Sequence, residues 1–349
     1  MITSLLLIKI FISFIASFIF IQLIIHFAPK LDLVDIPNHR SMHKHVTPRG
    51  AGIGIIFGVI LSDILTLNPI VYSHIIVFFA IFMVFIIGVL DDHRDTAPKT
   101  KFIIIFIATL LLYLDHISIN TLGRFFGYDL SLGWFALPFT MFAVAGFTNA
   151  LNLTDGLDGL AGGISIIILG ALCSIGYEHH DLFIVSVSLS FIAAIAAFLI
   201  LNWHPAKIFM GDSGSLTLGF VISVLSIKAL PYMQPTSILF LAALPIMDTL
   251  IVMIRRKRHG YSMFTPDKLH LHHIILNFFQ GDVKKTVFIL LLLQGIYSVM
   301  GIDFSDYPRQ RYTLLLYGLN VTFFYMILNG MIAKQNPFST RRKIRKKRN

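Results

Sequence analysis

The sequence predicts an all-α integral membrane protein with about eleven transmembrane helices. First, 56% of its 349 residues are hydrophobic and only 13% are charged, whereas a soluble domain carries about 25% charged residues. Second, the apolar residues form long blocks, near the ~17–25 residues that cross a bilayer as a helix. Third, Lys and Arg are concentrated in alternate loops, as the positive-inside rule describes.

Eleven apolar blocks are candidate spans. The first, from Leu5 to Phe27, is too long for the core of a signal peptide, and no small-residue cleavage site follows it, so we expect a retained helix. Gly, Pro and Asn interrupt several later blocks, which is tolerated where the backbone packs on protein or lines a wet cavity. The single cysteine, Cys173, lies inside a block, which excludes disulfides and Cys-based metal sites. The predicted spans are residues 4–27, 51–67, 72–90, 102–119, 132–151, 161–177, 182–201, 214–230, 236–254, 286–302 and 312–332.

The distribution of basic residues predicts the orientation. Each loop is numbered by the span that it follows. The odd-numbered loops and the C-terminal tail contain 23 Lys and Arg residues, and the even-numbered loops contain four. The richer side faces the cytoplasm, so we expect a periplasmic N-terminus and a cytoplasmic C-terminus. Lys9 lies within the first span, and we expect its side chain to snorkel outward. The predicted organisation is one membrane domain, residues 1–335, followed by a basic cytoplasmic tail, residues 336–349; the outer loops show no clustered chemistry.

The first cytoplasmic loop combines cations, histidine, proline and glycine. Its candidate substrate-binding residues are Arg40, His43 and Arg49, because such side chains suit phosphate or a phospholipid head group. The alternative is an ordinary positive-inside loop. Pro48 and Gly50 favour a specific turn.

The third loop opens with three carboxylates in five residues, Asp91, Asp92 and Asp95. They repel one another and follow a helix C-terminus, where anions are disfavoured. Mg²⁺ with substrate phosphates would compensate this charge, and the crowding can raise the pKa of one carboxyl towards use as a base. Lys99 and Lys101 follow and can hold phosphate. The alternative is a solvated acidic helix end.

The fifth loop has no Lys or Arg and combines amides, carboxylates and glycines. Its candidates are Asn149, Asn152, Asp155 and Asp158. Their oxygens are hard ligands of the kind that Mg²⁺ prefers, and the glycines let the backbone approach a ligand closely. The alternative is a set of helix caps with an Asx turn.

The seventh loop carries Lys207 and, at the start of the next helix, Asp212 between Gly211 and Ser213. This arrangement directs backbone N–H groups towards an anion, and the carboxylate can bind a metal. The alternative is a simple N-cap.

The ninth loop is the longest predicted inside and contains His270, His272 and His273. Clustered histidines often bind zinc, but the rest of the chain offers oxygen ligands. Phosphate binding is therefore preferred over zinc, and a structural histidine cluster is the alternative.

Asp248 lies inside the ninth span, about two turns before Arg255. An intramembrane carboxylate indicates a functional residue, and a buried Asp bonded to a neighbouring helix is the alternative.

These residue types together indicate phosphoryl transfer, in which a protein positions charged oxygens and neutralises them. Walker A and Gly-x-Ser-x-Gly patterns are absent from the sequence, which argues against a P-loop and a nucleophile elbow. The basic tail from Arg341 to Arg348 gains about 1 kcal/mol per residue from an anionic leaflet, so no nucleic-acid partner is expected. A soluble phosphate donor reacting at a membrane face points to a lipid acceptor.

The motifs, in their order, resemble those of the polyprenyl-phosphate N-acetylhexosamine-1-phosphate transferases, the WecA-like and MraY-like group of glycosyltransferase family 4. The resemblance covers about residues 30–280, and His-x-His-His with the basic tail looks more like the WecA branch. Ala51 departs from the pattern, because a second Gly is common after Pro-Arg-Gly. The matching segments are Pro37-x-x-Arg40-Ser-x-His43, Pro48-Arg49-Gly50, Asp91-Asp92-x-x-Asp95, Asn149-x-x-Asn152-x-x-Asp155-Gly-Leu-Asp158, Gly211-Asp212-Ser-Gly-Ser215, Pro245-x-x-Asp248 and Pro266-Asp267-x-x-His270-x-His272-His273.

The resemblance implies that a lipid phosphate oxygen attacks the β-phosphorus of a UDP-sugar and that UMP leaves. It implies Mg²⁺, with Mn²⁺ as an alternative, bound by Asp212 with Asn152 beside it, and it makes Asp91 the candidate base. Whether a base is needed stays open, because a lipid phosphate is already largely ionised near neutral pH. The implied catalytic residues are Asp91, Asp92, Asp95, Asp155, Asp158 and His272. The implied substrate-binding residues are Arg40, His43, Arg49, Lys101, Asn149, Lys207, Asp248, His270 and His273.

The expected partners are UDP-N-acetylhexosamine, undecaprenyl phosphate and the lipid bilayer of a bacterial inner membrane, with the active site facing the cytoplasm. The product would begin a cell-envelope glycan such as O-antigen. N-acetylglucosamine is the commonest sugar in the family, and fucosamine- or quinovosamine-type donors stay open, as does a homodimer. A secondary transporter is the alternative from another class, but transporters often show inverted repeats and midplane charges, whereas these candidates group at one face. A catalytically inactive lipid-binding scaffold would tolerate loss of the acidic loop residues, which this chain retains.

Overall fold

The computed structural model describes residues 2–37, 46–66, 69–260, 262, 270–307 and 309–335. Within these ranges the chain is nearly all helical. The α-helices are α1 Ile2–Phe27, α2 Ala51–Leu65, α3 Pro69–Ser73, α4 Ile75–His93, α5 Pro98–Leu114, α6 Ala136–Thr154, α7 Leu160–Glu178, α8 Leu182–Asn202, α9 Asp212–Ala229, α10 Pro235–Leu241, α11 Ala243–Arg258, α12 Leu271–Phe278, α13 Val283–Asp303 and α14 Gln310–Gln335. Short 3₁₀ turns cover Ala28–Lys30 and Gly133–Phe135.

A helix or a helix pair stands at each predicted span. Within the described ranges, seven helices are long and apolar enough to cross a membrane, and the bent pair α10–α11 would make an eighth. Helix α2 is apolar but has only 15 residues. The helices are those of a multi-pass membrane protein, while the number eleven and the orientation stay predictions. The separation of a membrane domain from a tail also stays a prediction, since residues 336–349 lie outside the described residues.

Two small antiparallel sheets make the all-helical prediction wrong in detail. Strands β1 Val34–Asp35 and β2 Thr47–Pro48 pair beside the N-terminus of α2. Strands β3 Thr121–Phe125 and β4 Tyr128–Ser131 form a hairpin between α5 and α6. Its turn residues, Phe126 and Gly127, both have positive φ, which matches the right-handed twist of a two-residue hairpin.

The predicted ninth span is broken rather than continuous. Helices α10 and α11 meet at Ala242 with a bend of 90°. A break at membrane depth exposes backbone groups, and neighbouring side chains must satisfy them. Gln294 on α13 does so: its Oε1 accepts from the Leu244 amide at 3.0 Å, and its Nε2 donates to the Leu241 carbonyl at 2.7 Å. The Ser298 hydroxyl also donates to Leu241 at 3.0 Å.

Lys9 does not snorkel outward, and that prediction is wrong. Its side chain is buried between α1, α2 and α8, where Nζ lies 2.6 Å from Asp63 Oδ1 and 2.8 Å from Ser186 Oγ. A buried charge is retained when it is paired and hydrogen-bonded. Lys9 therefore ties three helices together.

Helix α9 is the centre of the fold. Nearly all of its residues are buried, and it packs against α2, α4, α6 and α7. Small residues allow the closest approaches: a Cβ on Gly52 would overlap the Gly214 backbone, and one on Gly88 would lie 2.5 Å from the Asp212 carbonyl oxygen. The N-terminus of α9 is consequently enclosed by the ends of neighbouring helices.

Candidate active site

Four helix ends converge on one face and bring the acidic residues together. Asp91 and Asp92 lie in the last turn of α4, Lys101 in the first turn of α5, Asn152 near the end of α6, and Asp212 at the start of α9. These residues are up to 121 positions apart in sequence, and the packing of α4 and α6 on α9 makes them neighbours.

The ammonium group of Lys101 lies between two carboxylates. Its Nζ is 2.8 Å from Asp91 Oδ2 and 2.5 Å from Asp212 Oδ2. All three side chains are partly exposed, so this part of the cluster is open to a ligand. One cation thus already holds the two acidic groups together.

Asn152 fixes the other side of Asp212. Its Nδ2 donates to Asp212 Oδ1 at 3.0 Å and to the Ser215 hydroxyl at 2.8 Å. Asp212 is therefore held between an amide from α6 and an ammonium from α5. Ser215, one turn into α9, has no role in the sequence-based prediction, although it belongs to the matched Gly211-to-Ser215 segment.

Asp92 faces the backbone of α9. Its Oδ1 accepts from the Asp212 amide at 2.7 Å, and its Oδ2 accepts from the Ser213 amide at 3.0 Å. The side chain is only 3% exposed. Gly211 has φ +75°, and a Cβ there would lie 2.5 Å from Asp92 Oδ2. The two adjacent aspartates of α4 thus lie in different surroundings.

Thr96 orients Asp91 and was missed by sequence analysis. Its backbone amide and its hydroxyl donate to Asp91 Oδ1 at 2.8 and 2.7 Å. A Thr just before a helix beginning with Pro98 is the kind of residue that bonds locally, and that was the available signal. Asp91 Oδ2 is left for Lys101.

Asp155 lies just beyond the end of α6, where the negative charges of other carboxylates affect its pKa. Burial, together with the charges of Asp212, Asp92 and Asp158, raises the pKa of Asp155 to about 7. This crowding of negative charge is the feature that a bound cation would relieve.

Asp158 connects the fifth and seventh loops. Its Oδ2 lies 2.6 Å from His204 Nδ1 and accepts from the Ala206 amide at 3.1 Å. Asn202 adds a second connection, since its Oδ1 accepts from Gly159 and its Nδ2 donates to Ile208, both at 2.8 Å. Sequence analysis gave no role to His204 or Asn202, because the contact joins loops separated by two helices.

The histidine segment forms a second group around Asp248. Asp248 is buried; its Oδ1 accepts from the Leu271 amide at 2.7 Å and its Oδ2 lies 2.9 Å from His270 Nδ1. Asp248 thereby anchors the start of α12. The His272 ring lies 4.2 Å from the His273 ring, centre to centre.

His272 joins the histidine segment to the acidic loop. It is buried, and its Nε2 has no hydrogen-bond partner among the described residues. A Cβ on Gly156, in the loop after α6, would overlap that nitrogen. Burial, with a contribution from His273, lowers the pKa of His272 to about 3, so the imidazole is neutral near pH 7.

The remaining predicted site residues lie around this centre. Asn149 is half-buried on α6, one turn before Asn152, and Arg49 is half-buried after β2. Asp95 and Lys207 are exposed, and the structure records no side-chain contact between either of them and the cluster within the described ranges. Arg40 and His43 lie outside the described residues, as do Pro266, Asp267 and Lys268.

The donor set fits a hard cation held by few protein ligands. Within the described ranges, no group of three or more His, Cys, Asp or Glu side chains could hold a metal ion. Mg²⁺, however, is typically bound through one or two carboxylates plus substrate phosphates. Asp91 and Asp212 already face one cation, the Lys101 ammonium. Asn152 presents nitrogen to Asp212, so in this arrangement it orients that carboxylate.

An apolar cavity of about 410 Å³ runs beside α6, α9 and the α10–α11 break. Its wall includes the β3–β4 hairpin and the ends of α6 and α9 that lie away from the acidic cluster. The nearest lining residue on α6 is Phe147, about one and a half turns from Asn152, and the nearest on α9 is Ser223, eleven residues or about 16 Å beyond Asp212. Further lining residues are Phe139, Val144, Ile227, Leu239 and Ile246.

Comparison with known proteins gives consistent results. The family model described as glycosyl transferase family 4 matches residues 74–230. A Bacillus subtilis (strain 168) protein named "Probable undecaprenyl-phosphate N-acetylglucosaminyl 1-phosphate transferase" is 35% identical over 84% of this chain and 85% of its own length. The undecaprenyl-phosphate alpha-N-acetylglucosaminyl 1-phosphate transferases of Yersinia pestis and Escherichia coli (strain K12) are 32% and 31% identical, over 78% and 96% of this chain and 77% and 95% of their own lengths.

Proposed function

The chain belongs to glycosyl transferase family 4, and on that premise we propose that it transfers an N-acetylhexosamine 1-phosphate from a UDP-sugar to undecaprenyl phosphate. The observation that carries the proposal is the cluster in which Lys101 lies between Asp91 and Asp212, with Asn152 on the far side of Asp212. Such a cluster positions and neutralises phosphate oxygens, which is the main task of a phosphoryl-transfer protein.

The proposed reaction forms one P–O bond and breaks another. An oxygen of the lipid phosphate attacks the β-phosphorus of the donor, and the bond from that phosphorus to the bridging oxygen breaks. The electron pair stays on the bridging oxygen, and UMP leaves. The product is a lipid diphosphate that carries the sugar.

The chain's own residues would position the two phosphates. Thr96 and Lys101 hold Asp91 in one orientation, and Lys101 supplies a positive charge for the transferred phosphate. Asp91 would face the acceptor phosphate and would take its proton if the phosphate arrives protonated. Neutral His272 and its neighbours would donate or accept hydrogen bonds to the donor diphosphate or sugar.

Mg²⁺ is part of the proposal, held by Asp212 with Asn152 beside it and Asp91 close by. When bound, the ion would neutralise negative charge on the phosphates and polarise their oxygens. The crowded carboxylates and the raised pKa of Asp155 support a bound divalent cation, because such a cation relieves the repulsion of like charges.

Part of the acceptor's hydrocarbon chain would lie in the apolar cavity beside α6 and α9, which has a volume of about 410 Å³. The cavity wall is almost free of polar atoms, and burial of apolar surface is favourable in proportion to its area. A lipid whose phosphate reaches the acidic cluster would have to extend along α6 and α9 for its chain to enter this cavity. The relatives' names mention no transport, and a secondary transporter is not favoured.

N-acetylglucosamine is the proposed sugar, because the relatives are named N-acetylglucosaminyl transferases. Donors of the fucosamine and quinovosamine type are the alternatives. The proposed location is the bacterial inner membrane, with the acidic cluster facing the cytoplasm, where nucleotide sugars are made. The O-antigen destination and the homodimer stay predictions.

The decisive experiment is an assay of UMP release by purified protein in lipid nanodiscs. We expect UMP from UDP-N-acetylglucosamine only when undecaprenyl phosphate is present, and we expect EDTA to stop the reaction and Mg²⁺ to restore it. Asp212→Asn should abolish turnover, whereas Asp129→Asn, on the exposed strand β4, should not change it.

A panel of UDP-sugars on the same preparation would identify the donor. Absence of UMP with every UDP-N-acetylhexosamine would refute the proposed reaction. Full activity in the presence of EDTA would remove the metal from it.

A further inference from the structure

The two adjacent aspartates at the end of α4 differ in what their oxygens face. Asp91 directs Oδ2 to the partly exposed Lys101 ammonium. Both oxygens of Asp92 instead accept backbone hydrogen bonds from the first turn of α9. We infer that Asp92 is a positioning residue that fixes Asp212, and that it does not react with substrate. The inference rests on the proposed function and assigns a task within the same site.

Asp92 acts as a helix cap supplied by another helix. The first N–H groups of an α-helix have no partner within the helix, and an anion at this end is favoured by the helix dipole. Within α9 itself, residue 211 is a glycine without a side chain to cap the helix. The Asp92 carboxylate takes that place, with oxygens 2.7 and 3.0 Å from two successive amides.

The packing leaves Asp92 little freedom to do anything else. Its side chain is 3% exposed, so a lipid phosphate or a nucleotide cannot approach its oxygens without separating α4 from α9. Gly211 and Gly88 keep the two helices at this distance, because a Cβ on either would come within 2.5 Å of the other element. A reacting base must instead reach its substrate within hydrogen-bond distance.

The amide that Asp92 holds belongs to the residue whose side chain does the binding. When the Asp212 backbone is fixed, its carboxylate is set at 2.5 Å from Lys101 and 3.0 Å from Asn152. Displacement of a reacting group by about 1 Å can reduce a rate by as much as 100-fold. Asp92 therefore affects the rate through Asp212.

Hydrogen–deuterium exchange tests this contact without substrate or metal. In Asp92→Asn, one oxygen becomes an NH₂ group that faces an amide donor, so the amides of Asp212 and Ser213 should exchange about tenfold faster or more. Asp95→Asn removes the same charge at an exposed position and should leave exchange in residues 209–216 unchanged. Wild-type exchange rates in Asp92→Asn would overturn the inference.

Kinetics separate positioning from acid–base chemistry. Asp92→Asn should lower kcat by about 10–100-fold and should leave the pH–rate profile unchanged between about pH 7 and about pH 9, because burial raises the pKa of the Asp92 carboxyl only to about 6. A loss of about 1,000-fold or more, or a changed profile within this range, would indicate acid–base chemistry by Asp92 and overturn the inference.

Gly211→Ala tests the same contact from the other side and keeps the inference falsifiable if Asp92→Asn does not fold. The added methyl would displace the carboxylate, so it should reproduce the exchange and kcat defects. The double variant should be no worse than the poorer single variant, because both act through one contact. Gly281→Ala, also at positive φ but with open space around its Cβ, should retain wild-type exchange and kcat. Fully multiplicative losses in the double variant would contradict the inference.

If wild-type protein released no UMP, the proposed function would fail, while the exchange experiment would still test the contact between Asp92 and the first turn of α9.

Discussion

At the scale of single residues, the candidate site depends on how its charges are compensated: the Lys101 ammonium lies between the carboxylates of Asp91 and Asp212. Crowded aspartates at a helix end indicate a cation site in the sequence alone, and Asn152 does lie beside Asp212, where it contacts the carboxylate oxygen that does not face Lys101. That Lys101 bridges two carboxylates, or that His204 contacts Asp158, depends on helices that are far apart in sequence. The roles assigned to Asp95 and Lys207 stay predictions, and both side chains are exposed.

Asp155 supports a prediction about pH at this scale. Burial and neighbouring carboxylates raise its pKa to about 7, above that of an unfolded aspartate, about 3.9. The folded protein therefore binds a proton that the unfolded chain releases between these pH values, and the resulting stability is present at low pH and lost as pH rises through about 7. Asp155→Asn has no such proton to lose. We expect the melting temperature of this variant minus that of the wild type, both measured with EDTA, to increase from about pH 5 to about pH 8.

The control for this pH effect is Asp129→Asn, since Asp129 is exposed on β4. Its melting temperature should follow that of the wild type at every pH. Parallel curves for wild type and Asp155→Asn would show that Asp155 does not carry the raised pKa. Added Mg²⁺ should reduce the difference, because it offsets the same negative charge.

At the scale of elements, apolar length predicted the helices well and interruptions poorly. Helices α7 and α8 begin and end within one residue of the predicted spans, since their apolar blocks end at polar turns. The hairpin β3–β4 and the break between α10 and α11 were missed. The break depends on Gln294 and Ser298, which lie some fifty residues further along the chain, and no local pattern reveals such a partner. Lys9 was misplaced for the same reason, because its partner Asp63 is on another helix.

The break between α10 and α11 supports a prediction about the melting temperature. Gln294→Leu removes the partner of the Leu244 amide and one of two donors to the Leu241 carbonyl. A buried backbone group left unpaired costs about 1–3 kcal/mol, so the melting temperature should fall clearly. Ser298→Ala removes one donor to Leu241 and leaves the Leu244 amide paired, so its loss should be smaller. Gln294→Leu protein as stable as wild type would mean that the break does not need this side chain.

At the scale of the whole molecule, the fold builds the site from two groups. The acidic cluster belongs to the ends of α4, α5, α6 and α9, and the histidine segment precedes and opens α12. The sequence-based prediction of one polar face is consistent with this convergence. The sequence did not predict that the acidic cluster and the histidine segment are adjacent, because this depends on a contact between His272 and Gly156.

That contact supports the last prediction. In Gly156→Ala, the new methyl would overlap His272 Nε2, so the histidine segment must move away from the acidic loop. If the first group holds the transferred phosphate and the second holds the rest of the donor, a shift of about 1 Å between them should reduce kcat/KM for the UDP-sugar by up to about 100-fold. The KM for undecaprenyl phosphate should change little, because the apolar cavity does not include residue 156.

Gly146→Ala is the matched control, since a methyl there on α6 meets open space, and it should behave as wild type. An equal loss for both substrates would show that the two groups do not divide the donor between them, and that residue 156 supports the site as a whole.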